Sequence, residues 1–161
     1  MLEIRPLAPD EWLKLRKIRL AALLDSPDRF LSTYQKERLF EDDHWRGEFD
    51  RGDWHVGFAD GEPIGLLGAT RDANTPVDAC YLEYLWVAPQ HRRRGVAPRM
   101  IKVVLDQLSA AGMRTVFLWV LDGNDLAIRV YERAGFVRTN HSEALEARPG
   151  RTEELLQLDL G

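Results

Sequence analysis

At 161 residues, 45% hydrophobic and 30% charged, the chain has the material for one compact core and too little length for two, so it reads as a single domain over residues 1–161. A formal net charge of −4 argues against broad nucleic-acid binding, which needs Lys and Arg to neutralise phosphates, and no apolar run is long enough to cross a bilayer. Cys80 is the sole cysteine, which rules out an internal disulfide and a cysteine-built metal site; no metal is expected, and Cys80 reads as a buried strand residue.

The chain begins MLEIRPLAPDEW, with no basic stretch ahead of an apolar one, so a cytoplasmic location is expected. Residues 3–7 suit a short strand. From residue 11 the spacing turns helical: Trp12, Leu15, Ile18, Ala22 and Leu23 share a face, with Lys14, Arg16, Lys17 and Arg19 mostly off it. Asp25-Ser26-Pro27 breaks this helix. Residues 28–40 form either a second helix or an irregular lid. Residues 41–53 are rich in Asp and Glu, read as a solvated helix face or as a rim that attracts cations, with Trp45 and Phe49 inward. Residues 54–59 and 64–69 are strands joined through Asp60-Gly61, a hairpin signal. A polar loop over 71–78 follows.

The centre of the chain is YLEYLWVAPQHRRRGVAPRMIKVVL, residues 81–105. A strand to Val87 passes through a loop with three successive arginines into a helix over 95–111, which stops at Gly112. Partnerless N–H groups and the helix dipole favour an anion at such a helix start, and Arg92, Arg93 and Arg94 add full charges there. Thr115 to Leu121 is nearly all apolar, as in a strand covered on both faces. A short helix over 126–134 closes at Gly135, and strands at 136–141 and 154–160 end the chain. The pattern predicts a mixed α/β (α+β) fold with a parallel strand–helix–strand step through the arginine loop.

The phosphate loop Gly-x-x-x-x-Gly-Lys-Ser/Thr and the dinucleotide fingerprint Gly-x-Gly-x-x-Gly are both absent. Arg92-x-x-Gly95-x-Ala97 instead resembles the Gln/Arg-x-x-Gly-x-Gly/Ala signature of the GNAT superfamily of N-acetyltransferases. Its approach, LEYLWVAPQHRRRGVA, and the later Asn124, Ala127, Tyr131 and Gly135-Phe136 are similar to further GNAT runs, as is LRKIRLAALLDSPDRFLSTYQKE. The segment Tyr81-Leu82-Glu83 with Val87 also resembles the diamine acetyltransferase branch.

The resemblance implies about six or seven strands splayed at an acetyl-CoA site, with about four flanking helices. Acetyl-CoA would then lie along Leu85, Trp86 and Val87, its pyrophosphate on the loop Arg92, Arg93, Arg94, Gly95, Val96 and Ala97, and Asn124 would contact its arm or cap a helix. An attacking amine must be neutral, which calls for a base. Glu83 is the candidate; by strand alternation it shares a face with Leu85 and Val87, and the other reading is an exposed strand carboxylate or one paired to a neighbouring arginine. Tyr131 is the candidate acid for the leaving thiolate, or else packs beneath the cofactor. Phe30, Tyr34 and Trp45 either wall the acceptor site or pack in the core, and Glu37 with the acidic segment would favour a cationic amine such as a polyamine, amino sugar or lysine-like group. The implied partner is a small-molecule amine, with no nucleic acid, no membrane and a homodimer as the family's common assembly. The other readings are a non-catalytic acyl-CoA-binding module and a protein lysine or amino-terminal acetyltransferase.

Overall fold

The computed structural model describes residues Met1–Gly161. Its elements in order are β1 (Leu2–Pro6), α1 (Trp12–Asp25), α2 (Tyr34–Glu37), α3 (Asp42–Arg51), β2 (Gly52–Ala59), β3 (Glu62–Thr70), β4 (Ala79–Val87), α4 (Val96–Ala110), β5 (Thr115–Leu121), α5 (Asp125–Arg133), β6 (Val137–Ala144) and β7 (Thr152–Asp159). The strands form one seven-stranded sheet in the order β1-β2-β3-β4-β5-β7-β6, antiparallel throughout except for β4 and β5. That mixed sheet agrees with the expected architecture, and residues 28–40 contribute only the single turn α2 as regular helix. No helix is long and apolar enough to cross a membrane.

Each face of the sheet carries its own apolar cluster. On one face α4 buries Val96, Met100, Ile101 and Val104, and α5 brings Tyr131, against Cys80, Leu82, Val116 and Leu118. On the other, α1 buries Leu15, Ile18, Ala22 and Leu23, and α3 brings Trp45, against Trp54, Leu66 and Trp86. Gly68 permits that second packing: a Cβ there would sit 2.5 Å from Trp54 Cζ3. Arg19 also lies on the buried stripe of α1, only 4% exposed, contrary to its expected outward placement. It falls one turn after Leu15 and one turn before Leu23, so the helix has no other way to point it.

The β4–β5 junction makes the site. Only Ala79, Cys80 and Tyr81 pair with β5, opposite Thr115, Val116 and Phe117; beyond them the strands part. β5 buries Val116, Leu118 and Val120 on the α4 face, whereas Phe117 and Trp119 on the other are half-buried. It is therefore not covered on both faces as expected, because its second face borders the gap.

A bulge interrupts β4. Leu66 pairs with Trp86 and Gly68 with Glu83, so β4 carries one residue more than β3 across this interval, and Tyr84 sits there at φ +61°. An extra residue resets strand alternation. Leu85 and Val87 pack toward α4, while Glu83 and Tyr84 both turn toward α1 and α3. The expectation that Glu83 shares a face with Leu85 and Val87 is corrected accordingly.

Candidate active site

A cleft of about 1280 Å³ passes through the gap between β4 and β5 and opens on both sides of the sheet. Its α4 side begins at the arginine loop. Gly95 caps α4 at φ +75° with no atom within 4 Å of where a Cβ would stand, and Arg93 is also left-handed at φ +62°. No backbone N–H from Arg93 to Ala97 donates to any protein acceptor. A run of unpartnered donors at a helix start, with open space above a glycine, fits a pyrophosphate. Pro98 lies within the first turn, where its missing N–H costs no helical bond.

The arginines divide their work. Arg92 Nε donates to Val87 O at 2.9 Å, and its Nη2 binds Asp25 at the end of α1. Asp25 Oδ2 also accepts from Trp86 Nε1 at 2.9 Å and from Ser26 Oγ at 2.7 Å. Burial pushes this carboxyl up, but the three donors outweigh it and hold it below the usual carboxylate range. Arg92 thus pins the loop to α1 and β4, Arg93 faces the cleft, and Arg94 is exposed outside it.

Deeper in, residues 85–87 line the gap, with Trp86 turned toward Asp25. Asn124 borders the same space and caps α5, its Oδ1 accepting from Ala127 N at 3.3 Å. Tyr131 reaches the cleft from α5, 7% exposed, its hydroxyl bonded to no other residue; burial holds its phenol above the usual value, so it stays protonated.

On the opposite side of the gap stands Glu83. Its Oε1 accepts from Arg51 Nη2 at 2.9 Å. Burial raises the carboxyl above its usual range, against the pull of Arg51 and Arg19. Behind it lies a network that sequence reasoning missed. Arg19 donates from Nη2 to Glu37 Oε1 at 2.8 Å and from Nη1 to Glu48 Oε2, while Tyr84 Oη donates to Glu37 Oε2 at 2.7 Å. Arg51 Nη1 reaches the same Glu48 oxygen at 2.9 Å. Arg19 also lies over the Tyr84 ring, 4.3 Å from its centroid. The signal for this network was a charge on the apolar stripe of α1.

Of the expected acceptor residues, Phe30 lines the cleft and stacks on Tyr84 with centroids 5.3 Å apart. Glu37 does not face it: it is 2% exposed and spent on Arg19 and Tyr84. Tyr34 packs against the α1 cluster and Trp45 is fully buried there, both outside the cleft. Trp119 and Glu153, from β5 and β7, complete the wall.

Residues 17–136 match the acetyltransferase (GNAT) family. An uncharacterized protein of Mycobacterium leprae is 35% identical over 75 residues, 47% of this chain; the match spans about a fifth (20%) of that relative's length. A GNAT-family acetyltransferase from Streptococcus pneumoniae superposes with a TM-score of 0.82 at 18% identity, covering 100% of both chains. A Salmonella typhimurium structure holding its cofactor acetyl-CoA superposes with a TM-score of 0.78 at 16% identity, covering 100% of this chain and 95% of the other. With its family signature lying on the parted strands and the free helix start, the chain belongs to the acetyltransferase (GNAT) family.

Proposed function

We propose that the protein is an N-acetyltransferase that moves an acetyl group from acetyl-CoA to the primary amine of a small molecule. The observation that carries this reading is the meeting, in one cleft through the sheet, of Glu83 from one face and Tyr131 from the other. Acetyl-CoA would supply an activated acetyl thioester. The N–H groups of residues 93–97 would hold its pyrophosphate, and main-chain groups of Leu85 and Val87, on the strand edge that β5 leaves unpaired, would hold its arm. An N–H on that edge would meet the negative charge that grows on the acetyl oxygen.

Glu83 would take a proton from the ammonium, freeing its nitrogen lone pair. Once that proton has passed to solvent, the amine nitrogen would bond to the acetyl carbon as the carbon–sulfur bond breaks; Tyr131 would give its proton to the sulfur, and the surplus proton on the new amide nitrogen would pass to Glu83 and return through water to the Tyr131 phenolate. The raised proton affinity of Glu83 suits a base, and the raised phenol value of Tyr131 keeps it in acid form. A small acceptor is the reading we favour because the β6–β7 loop closes over Phe30 of the cleft wall: its Arg148 donates to Pro27 O at 3.2 Å and to Phe30 O.

The test is a panel of polyamines, amino sugars, amino acids and lysine peptides, with acetyl-CoA, following thiol release. Glu83→Gln and Tyr131→Phe are each expected to lower kcat by roughly 10²- to 10⁴-fold while CoA still binds. Tight CoA binding without transfer to any amine would make the protein an acyl-CoA-binding module instead.

A further inference from the structure

The ion pair in front of Glu83 differs from an ordinary surface pair, which contributes little because two mobile side chains must be ordered to make it. Arg51 is 43% exposed and sits at the end of α3, but its other nitrogen is already fastened to buried Glu48 at 2.9 Å. Glu48 is fastened in turn to buried Arg19. One end of the guanidinium fork is therefore fixed in the protein interior, and the other end meets Glu83 Oε1, leaving Oε2 without an ion-pair partner.

We propose that Arg51 is a positioning residue: its guanidinium fixes the direction of the Glu83 carboxylate, and its charge sets the pH below which Glu83 stops accepting protons. This rests on the reading of Glu83 as the base. Facing Glu83 are Arg51 and Glu48 of α3, Arg19 of α1, and Thr70 with Arg71 and Asp72 after it at the end of β3. Tyr81 and Tyr84 flank it on β4, and Glu153 of β7 lies on the far wall of the same cleft. Of the cations among these, only Arg51 bonds the Glu83 carboxylate; Arg19 acts from behind Glu48 and Glu37. A planar fork gripping two carboxylates cannot be copied by a lysine, which has one point charge.

The decisive measurement needs no acceptor: a carboxyl ¹³C NMR titration of the ligand-free protein, with Glu83→Gln assigning the Glu83 resonance. In Arg51→Met the Glu83 titration is expected to move upward by about one pH unit, with Arg51→Lys between it and the parent. The acidic limb of kcat/KM, measured with the best amine of the panel, should move by the same amount. Because Arg51→Met strips a partner from buried Glu48, the double variant Arg51→Met/Glu48→Gln is compared with Glu48→Gln alone; the same upward step is expected. A Glu83 titration that stays in place in both comparisons overturns the proposal. If Glu83→Gln turns over normally while the titration moves as expected, the base assignment fails and the influence of Arg51 on Glu83 stands.

Discussion

Arg19→Met is the most informative single change in the buried network. It removes the hydrogen-bonded cation between Glu37 and Glu48, which are 2% and 5% exposed, and replaces it with an apolar chain of similar bulk. Breaking a buried pair this way costs about 3–5 kcal/mol, since a carboxylate is left without its counter-charge. Here neither carboxylate is left alone, because Glu37 keeps Tyr84 Oη and Glu48 keeps Arg51, with His44 Nε2 3.6 Å from its other oxygen, so the lower end, about 3 kcal/mol, is expected. For a chain of this length that lowers Tm by roughly 6–12 °C. The loss should also depend on pH. Burial raises the Glu48 carboxyl, but Arg19 and Arg51 outweigh it and the net shift is downward. A carboxyl depressed on folding adds stability above its unfolded value, near 4.3, and that stability is lost as pH falls through the lower folded value. The parent should therefore lose its advantage over Arg19→Met on acidification. Urea unfolding of both proteins at about pH 7 and about pH 4 reads this directly. A loss below about 1 kcal/mol, or one equal at both pH values, would refute the account.

Two further changes test the scaffold. Gly68→Ala places a methyl against the ring of fully buried Trp54 on the residue that pairs with Glu83, and is expected to cost about 1–3 kcal/mol by urea unfolding; an unchanged midpoint would mean the two strands can part without penalty. Asp25→Ala frees Trp86 and Arg92 together, so the arginine loop should lose its anchor and CoA binding by calorimetry should weaken about tenfold, in line with losing charge-assisted hydrogen bonds; an unaltered Kd would show that the loop holds itself.

The elements were legible wherever a period repeats. The apolar spacings of α1 and α4, the Asp60-Gly61 hairpin and the strand–loop–helix step at Gly95 all stand in the sequence, because local sterics and amphipathic burial produce them. The bulge was not legible. Tyr84 is neither glycine nor asparagine, and it keeps a left-handed backbone because Phe30, Arg19 and Glu37 clamp its ring and hydroxyl from elements 47 or more residues away in sequence. Without it, strict alternation puts Glu83 on the wrong face. Arg19 and Glu48 were hidden by a rule that usually succeeds: charges on helices face water. Their spacing from Leu15 and Trp45 carried the opposite message, which becomes readable only when the two helices are known to pack together. Asp25 was similarly concealed by its role as a helix stop.

The brevity of the β4–β5 pairing also bears on folding and solubility. The sheet consists of two antiparallel sub-sheets, β1 to β4 and β5 with β7 and β6, sutured at three residue pairs. Each sub-sheet ends, inside the protein, in a strand edge whose amide groups have no neighbouring strand. Such an edge invites foreign chains. A ligand threaded between the two would act as a guest strand, knitting the halves into one body and capping both edges at once. Hydrogen exchange along Leu85 to Val87 and along the upper part of β5 would then slow together, and a cosubstrate-loaded preparation would keep better than a bare one.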